Sequence, residues 1–151
     1  MSQTQEAAFG NITSANSTVV LTVAQVFPSG ITLQQFSTDQ SVVMDEVTCA
    51  ETRLGVDGFL AGGWIPGEKP VTLMLEASSP SYDALAQVWN AQDQARTLYE
   101  CTLTVRVPSL NKTYTWSGGV LKSGTPFPGH KKVLDPTTWK FVFAKFKPSN
   151  N

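Results

Sequence analysis

The sequence has one histidine, His130, set in Pro128-Gly129-His130-Lys131-Lys132. A general base must be held against its nucleophile, and a histidine between a glycine and two lysines in a polar loop reads as a solvated residue. A closed zinc shell takes four nitrogen or sulfur ligands. One histidine with the distant Cys49 and Cys101 cannot supply them, so the cysteines read as free, buried thiols. Paired carboxylates are the remaining route to catalysis, since glycoside hydrolysis asks only for two acids at a fixed separation. Asp45, Glu46, Glu51 and Asp57 are the candidates. Strand neighbours point to opposite faces, so Asp45 and Glu46 do not share a cleft, and these acids read as a solvated or interfacial segment. No catalytic residue, metal or cofactor is expected.

The glycine run RLGVDGFLAGGWIPGEKPVTLML, residues 53–75, raises the question of a phosphate loop. Such a loop opens into a helix and closes on Lys-Ser/Thr; this one runs into an apolar strand. A calcium loop needs alternating carboxylates, and only Asp57 is present. Asp57-Gly58 instead reads as a two-residue hairpin turn with positive φ at both positions. Gly62, Gly63 and Gly67 read as bends or bulges between strands.

The elements follow from periodicity. Residues 1–17 read as an extended polar arm with Phe9 and Ile12 as anchors, 18–147 as one β domain, and 148–151 as a C-terminal tail. Thr18 to Gln25 is a β-branched strand stopped by Pro28-Ser29-Gly30, with Ile31 to Phe36 as its hairpin mate. From Thr38 to Gly63 apolar and acidic residues mix, as in a long excursion with exposed sides. Pro70 to Leu75 is a strand with its leucines inward. Ser79 and Pro80 start a helix whose stripe is Tyr82, Leu85, Ala86 and Trp89, with Val88 at the margin. Leu98 to Val107 alternates cleanly: Tyr99, Cys101, Leu103, Val105 and Val107 inward, Glu100, Thr102, Thr104 and Arg106 on the wet face. Thr113 to Leu121 and Thr138 to Lys147 are strands around a Pro/Gly/Lys loop, 123–136. Many strands and one helix predict a mainly β sandwich or barrel with one packed α-helix.

Composition sets limits on partners. The 151 residues are 41% hydrophobic with a formal charge of -1, enough for one core and no global field to recruit nucleic acid or an anionic membrane. No run approaches a membrane span, and the N-terminus lacks signal-peptide character, so folding in a cytoplasm is expected. The Asn-X-Thr sites at Asn11, Asn16 and Asn111 then read as chance matches.

Residues 36–94 carry a further pattern. Val43-Met44-Asp45 leads into Gly55-Val56-Asp57-Gly58, a small-residue spacer, the strand Pro70 to Leu75, the helix start Ser78-Ser79-Pro80, and Asn90-Ala91-Gln92 near the helix end. In order and spacing this resembles bacteriophage tail tube proteins, the major tube subunits of contractile-tailed phages, and Leu98 to Val107, Tyr114 to Leu121 and Trp139 to Phe146 occupy the places of the family's later strands. The resemblance covers about Ser17 to Phe146. The loop 123–136 departs from shorter relatives.

The resemblance implies a structural virion protein. Hexameric rings stack into a tube, subunits join their sheets around a lumen, and the genome is ejected through it. Implied partners are other copies of the chain, a tail sheath, baseplate and tail terminator proteins, with the tape measure protein and DNA passing without specific binding; the setting is the virion tail, assembled in the host cytoplasm. Glu100, Thr102, Thr104 and Arg106 are then the lumen-facing candidates, and a lumen free of excess positive charge would not grip phosphate. Asp39, Val42, Met44, Asp45, Glu46, Glu51 and Arg53, in the excursion, are the ring-stacking candidates. The alternatives are a ligand- or carbohydrate-binding β-sandwich, whose tryptophans would line a groove, a carboxylate hydrolase, and a secretion-system tube protein.

Overall fold

The computed structural model describes residues 17–33 and 42–150. The strands are β1 (Thr18–Val23), β2 (Phe27–Thr32), β3 (Val42–Met44), β4 (Ala50–Leu54), β5 (Leu60–Trp64), β6 (Lys69–Leu75), β7 (Cys101–Val107), β8 (Lys112–Gly124) and β9 (Thr137–Asn150); α1 (Pro80–Ala95) lies between β6 and β7. Seven strands form one antiparallel sheet in the order β2-β1-β7-β8-β9-β6-β3, and β4-β5 form a separate two-stranded ribbon. The protein is mainly β with one packed helix, as the periodicity predicts. Of the closures left open by the sequence, a barrel is not formed: β2 and β3 end the sheet as edges among the described residues.

One face of the sheet is the core. Leu21, Val23, Val71, Leu73, Leu75, Cys101, Leu103, Trp139 and Phe141 are fully buried there, and Leu85 and Val88 of α1 close over them. Ser79 caps the helix, its hydroxyl accepting from the Ser81 amide at 3.2 Å. Val88 lies at the centre of the buried stripe rather than at its margin, because Ser81, Leu85 and Val88 follow the i, i+4, i+7 line that faces the sheet. The helix's ring contacts fall on Trp139 of β9: Tyr82 and Trp89 each place a ring centroid 6.2 Å from it. The buried indole N–H donates to Thr137 Oγ1 at 3.1 Å, and that hydroxyl donates to the Leu75 carbonyl at 3.3 Å, so the polar atom of Trp139 is paired within the hydrocarbon.

Two elements differ from the sequence reading at proline and glycine. β2 begins at Phe27 and runs through Pro28-Ser29-Gly30, with Gln25 at φ 71 in the preceding turn. Proline lacks a donor, and an edge strand tolerates that where a central one does not. Residues 34–36 of the expected hairpin mate, like most of the arm and Asp39, lie outside the described residues. At the Asp57-Gly58 turn only Gly58 has positive φ, at 89°. The Gly58 amide donates to the Gly55 carbonyl at 3.0 Å and the Gly55 amide to the Phe59 carbonyl at 2.8 Å, which is a turn followed by a left-handed glycine rather than a two-residue turn.

The alternation of β8 and β9 reverses part way along. Leu121 and Gly119 face the core, yet so does Trp116, and on β9 Phe143 is followed on that side by Phe146. Gly118, at φ 66, sits opposite a register shift between Cys101 and Leu103 of β7, so an extra residue turns the strand over. A Cβ on Gly119 would lie 2.2 Å from the Phe143 ring, which restricts that position to glycine. The expected tail is strand as far as Asn150, which pairs with Lys112.

Candidate functional site

The residues considered for chemistry do not converge. His130 is exposed and stacked on Phe127, with ring centroids 4.7 Å apart. Asp45 sits at the edge of the main sheet, 3.7 Å from Lys140. Glu51 lies on the ribbon, and Asp57 accepts from the Phe59 amide at 3.2 Å in the ribbon's own turn. Among the described residues no group of three or more His, Cys, Asp or Glu could hold a metal ion, and no helix is long and apolar enough to cross a membrane. Of the tryptophans, Trp116 and Trp139 are core residues, Trp89 packs against the core and Trp64 is on the ribbon, so they line no common groove.

Both cysteines are free, but Cys49 is exposed where burial was expected. Cys101 is buried, its thiol donating to the Tyr99 carbonyl at 3.4 Å, and burial pushes its pKa up to about 11; a backbone hydrogen bond with Leu121 opposes this and the nearby Glu100 charge adds to it. Thiolate is the reactive form. At pH 8, therefore, an aromatic disulfide reagent should titrate Cys49 within minutes and reach Cys101 only after denaturation; rapid release from both thiols in the native protein would contradict this placement.

Two surfaces stand out among the described residues. The first is the β4-β5 ribbon. All residues of both strands are exposed, and Ala50, Thr52 and Leu54 pair with Trp64, Gly62 and Leu60. Register therefore puts Leu54, Leu60 and Trp64 on one face, with Glu51 and Arg53 on the other opposite Gly63 and Ala61. Leu54, Val56, Phe59, Leu60 and Trp64 are each at least 67% exposed. A two-stranded hairpin is marginal in water by itself, and burying such side chains is worth about 1.5–3 kcal/mol each.

The excursion named for stacking thus divides. Val42 and Met44 return to the sheet edge and pack against the core, Asp45 pairs with Lys140, Glu46 is exposed beyond the strand, and only Glu51 and Arg53 stand on the ribbon. The apolar residues of the ribbon were missed because glycine obscured them. Leu60 and Trp64 flank Ala61-Gly62-Gly63, and their alternation becomes visible only when they are paired with Leu54 and Ala50.

The second surface is the sheet face opposite the helix. Thr102, Thr104 and Arg106 point there, as expected, while Glu100 precedes β7 and is exposed, its carbonyl accepting from the Ala24 amide at 2.9 Å. Register extends the face in rows: Val20, Thr104, Thr115 and Lys147 in one, Thr18, Arg106, Thr113 and Ser149 in the next. Lys145 joins them opposite Ser117. These lysines reach the wet face only because β8 and β9 turn over near Gly118; unbroken alternation would send them to the core side. The hydroxyl-rich face is consequently more basic than Glu100 to Arg106 alone suggests. Among the described residues no ion pair engages Arg106, Lys145 or Lys147.

No curated protein matches the sequence. Solved structures do match the fold. A chain of the extended-state sheath-tube complex of an extracellular contractile injection system, PVC, superposes with a TM-score of 0.69 at 14% identity, over 100% of this chain and 99% of that one. A chain of the tube-terminating cap of the anti-feeding prophage gives 0.63 at 11% identity, covering 100% of both. A chain of the anti-feeding prophage baseplate gives 0.60 at 11% identity, covering 94% of this chain and 97% of that one. The fold is therefore shared with chains of a contractile injection system and of the anti-feeding prophage. The model of one protein family matches residues 10–147, and the chain belongs to that family, described as tail fiber protein gp32.

Proposed function

We propose that this chain is a structural subunit of a phage tail tube, non-enzymatic, forming six-membered rings that stack around a lumen through which the genome is ejected. The observation that carries the reading is the β4-β5 ribbon: the core is complete without it, yet it holds Leu54, Leu60 and Trp64 in water on one face. A surface of that kind is stable when another chain covers it. Full-length likeness to a chain of a sheath-tube complex supports a tube place over that of a fiber, despite the family's description. The ring-stacking role assigned to Glu51 and Arg53 moves to the whole ribbon, while Val42, Met44, Asp45 and Glu46 take the root of that contact. Asp39 lies outside the described residues.

The remaining assignments follow from what the fold leaves open. Among the described residues β2 and β3 are the edges of the sheet; edges invite pairing, and joining one copy's edge to its neighbour's would close six open sheets into one barrel. The helix covers one sheet face, so the face of Thr102, Thr104 and Arg106, with Glu100 at its rim, lines the channel. Hydroxyls hydrate there without holding DNA, and Arg106, Lys145 and Lys147 impose a weak, salt-dependent drag on phosphate. Sheath, baseplate and terminator proteins, with the tape measure protein inside, are the partners in this setting, and the virion tail assembled in the host cytoplasm is the location.

A second reading is a tube cap or baseplate ring, favoured by the likeness to those chains. Sedimentation separates the two. A tube subunit sediments as rings of six that grow with concentration into heavy polymers. A cap or baseplate subunit stops at a single ring, and a monomer at every concentration contradicts both.

A further inference from the structure

The ribbon and the loop 125–136 leave the sheet from opposite ends. β6 receives the chain from the ribbon at Lys69, opposite Phe143, and delivers it at Leu75, opposite Thr137, where the loop joins β9. The seven residues of β6 separate the two by about 20 Å at roughly 3.3 Å per residue. A protein with two unlike contact surfaces at opposite ends associates head to tail.

The two surfaces also match in chemistry. The ribbon's tip exposes Val56 and Phe59 around Asp57. The loop exposes Phe127, Val133 and Leu134 beside Lys132. Both expose apolar side chains, those of the ribbon tip beside the acid Asp57 and those of the loop beside the base Lys132. The loop is also preformed: the Tyr82 hydroxyl of the helix donates to the Pro126 carbonyl, the Thr125 amide donates to the Thr138 carbonyl at 2.8 Å, and the Asp135 amide donates to the Gly129 carbonyl at 3.1 Å. Lys131 is already engaged with Asp135 at 3.5 Å, whereas among the described residues Lys132 has no ion pair. A rigid receiving surface loses little conformational freedom on docking.

We propose that the loop 125–136 of one copy receives the ribbon tip of the next, with Val56 and Phe59 against Phe127, Val133 and Leu134 and Asp57 against Lys132. This rests on the tube reading and adds the surface that the ribbon meets. It also gives a role to the loop that departs from shorter tube proteins.

The test uses the full chain at low salt with three variants: Lys132→Glu, Asp57→Asn and the two together. Asparagine keeps the side-chain oxygen that accepts from the Phe59 amide, so the turn is preserved. Lys132→Glu sets like charges against each other and should raise the concentration needed for tube formation about tenfold or more; adding Asp57→Asn should recover most of that loss. The contact is overturned if Lys132→Glu polymerises as the wild type does, or if Asp57→Asn brings no recovery. A wild-type chain that forms no tubes under the same conditions overturns the tube reading itself, and this contact with it.

Discussion

Replacing residues 54–60 of the ribbon by a short Asn-Gly turn leaves a folded subunit that no longer forms tubes. The removed residues make no part of the core: Leu54, Val56, Phe59 and Leu60 are exposed, and among the described residues β4 pairs with β5 alone. Stability of the body should therefore change little, while stacking loses anchors worth about 1.5–3 kcal/mol apiece when buried. A single change, Trp64→Ser, should already raise the assembly concentration by roughly tenfold to a hundredfold, the range of an aromatic interface anchor. Circular dichroism and sedimentation of the same sample check both halves. Unimpaired polymerisation of the shortened chain would show that the ribbon is not the stacking element.

Lysine at Glu100 and Thr102 should leave assembly nearly intact and slow genome ejection, most strongly in dilute salt. Glu100 is exposed just before β7 and Thr102 is half-exposed on the side away from the helix, so neither belongs to the core of the folded subunit. The face already carries Arg106, Lys145 and Lys147, and each further cation that meets phosphate should steepen the logarithmic salt dependence by roughly one unit. Conversely, Lys145→Gln with Lys147→Gln should flatten it. Ejection timed across ionic strengths reads both changes. Normal ejection by the lysine variant at every salt concentration, or loss of its tubes, would remove this face from the channel.

Much of the architecture was legible in the sequence because alternation survives wherever a strand has one dry face. β6, β7 and the first half of β9 show it, with Leu73, Leu103 and Phe141 where period two puts them. The helix was legible from Ser79 and Pro80 at its start. What failed was local backbone geometry that glycine permits. Gly118 turns β8 and β9 over, so Trp116 and Phe146 enter the core and Lys145 and Lys147 leave it, a change no period-two count can anticipate. Pro28 read as a stop because its tolerance depends on β2 being an edge, which is a fact of strand order and not of local sequence. The exposed apolar face of the ribbon was harder still. Its apolar residues lie on two strands separated by the 55–59 turn, and only pairing brings Leu54 beside Leu60 and Trp64 beside Ala50.

The central claim is that the chain closes into rings that stack, and electron microscopy of the purified protein across a concentration series tests it most directly. The account predicts six-fold rings in end view and, at higher concentration, straight hollow tubes with the helix side outward and the Thr102 to Arg106 face toward the bore. Discrete monomers at every concentration, or polymers whose end views show no central channel, would contradict it.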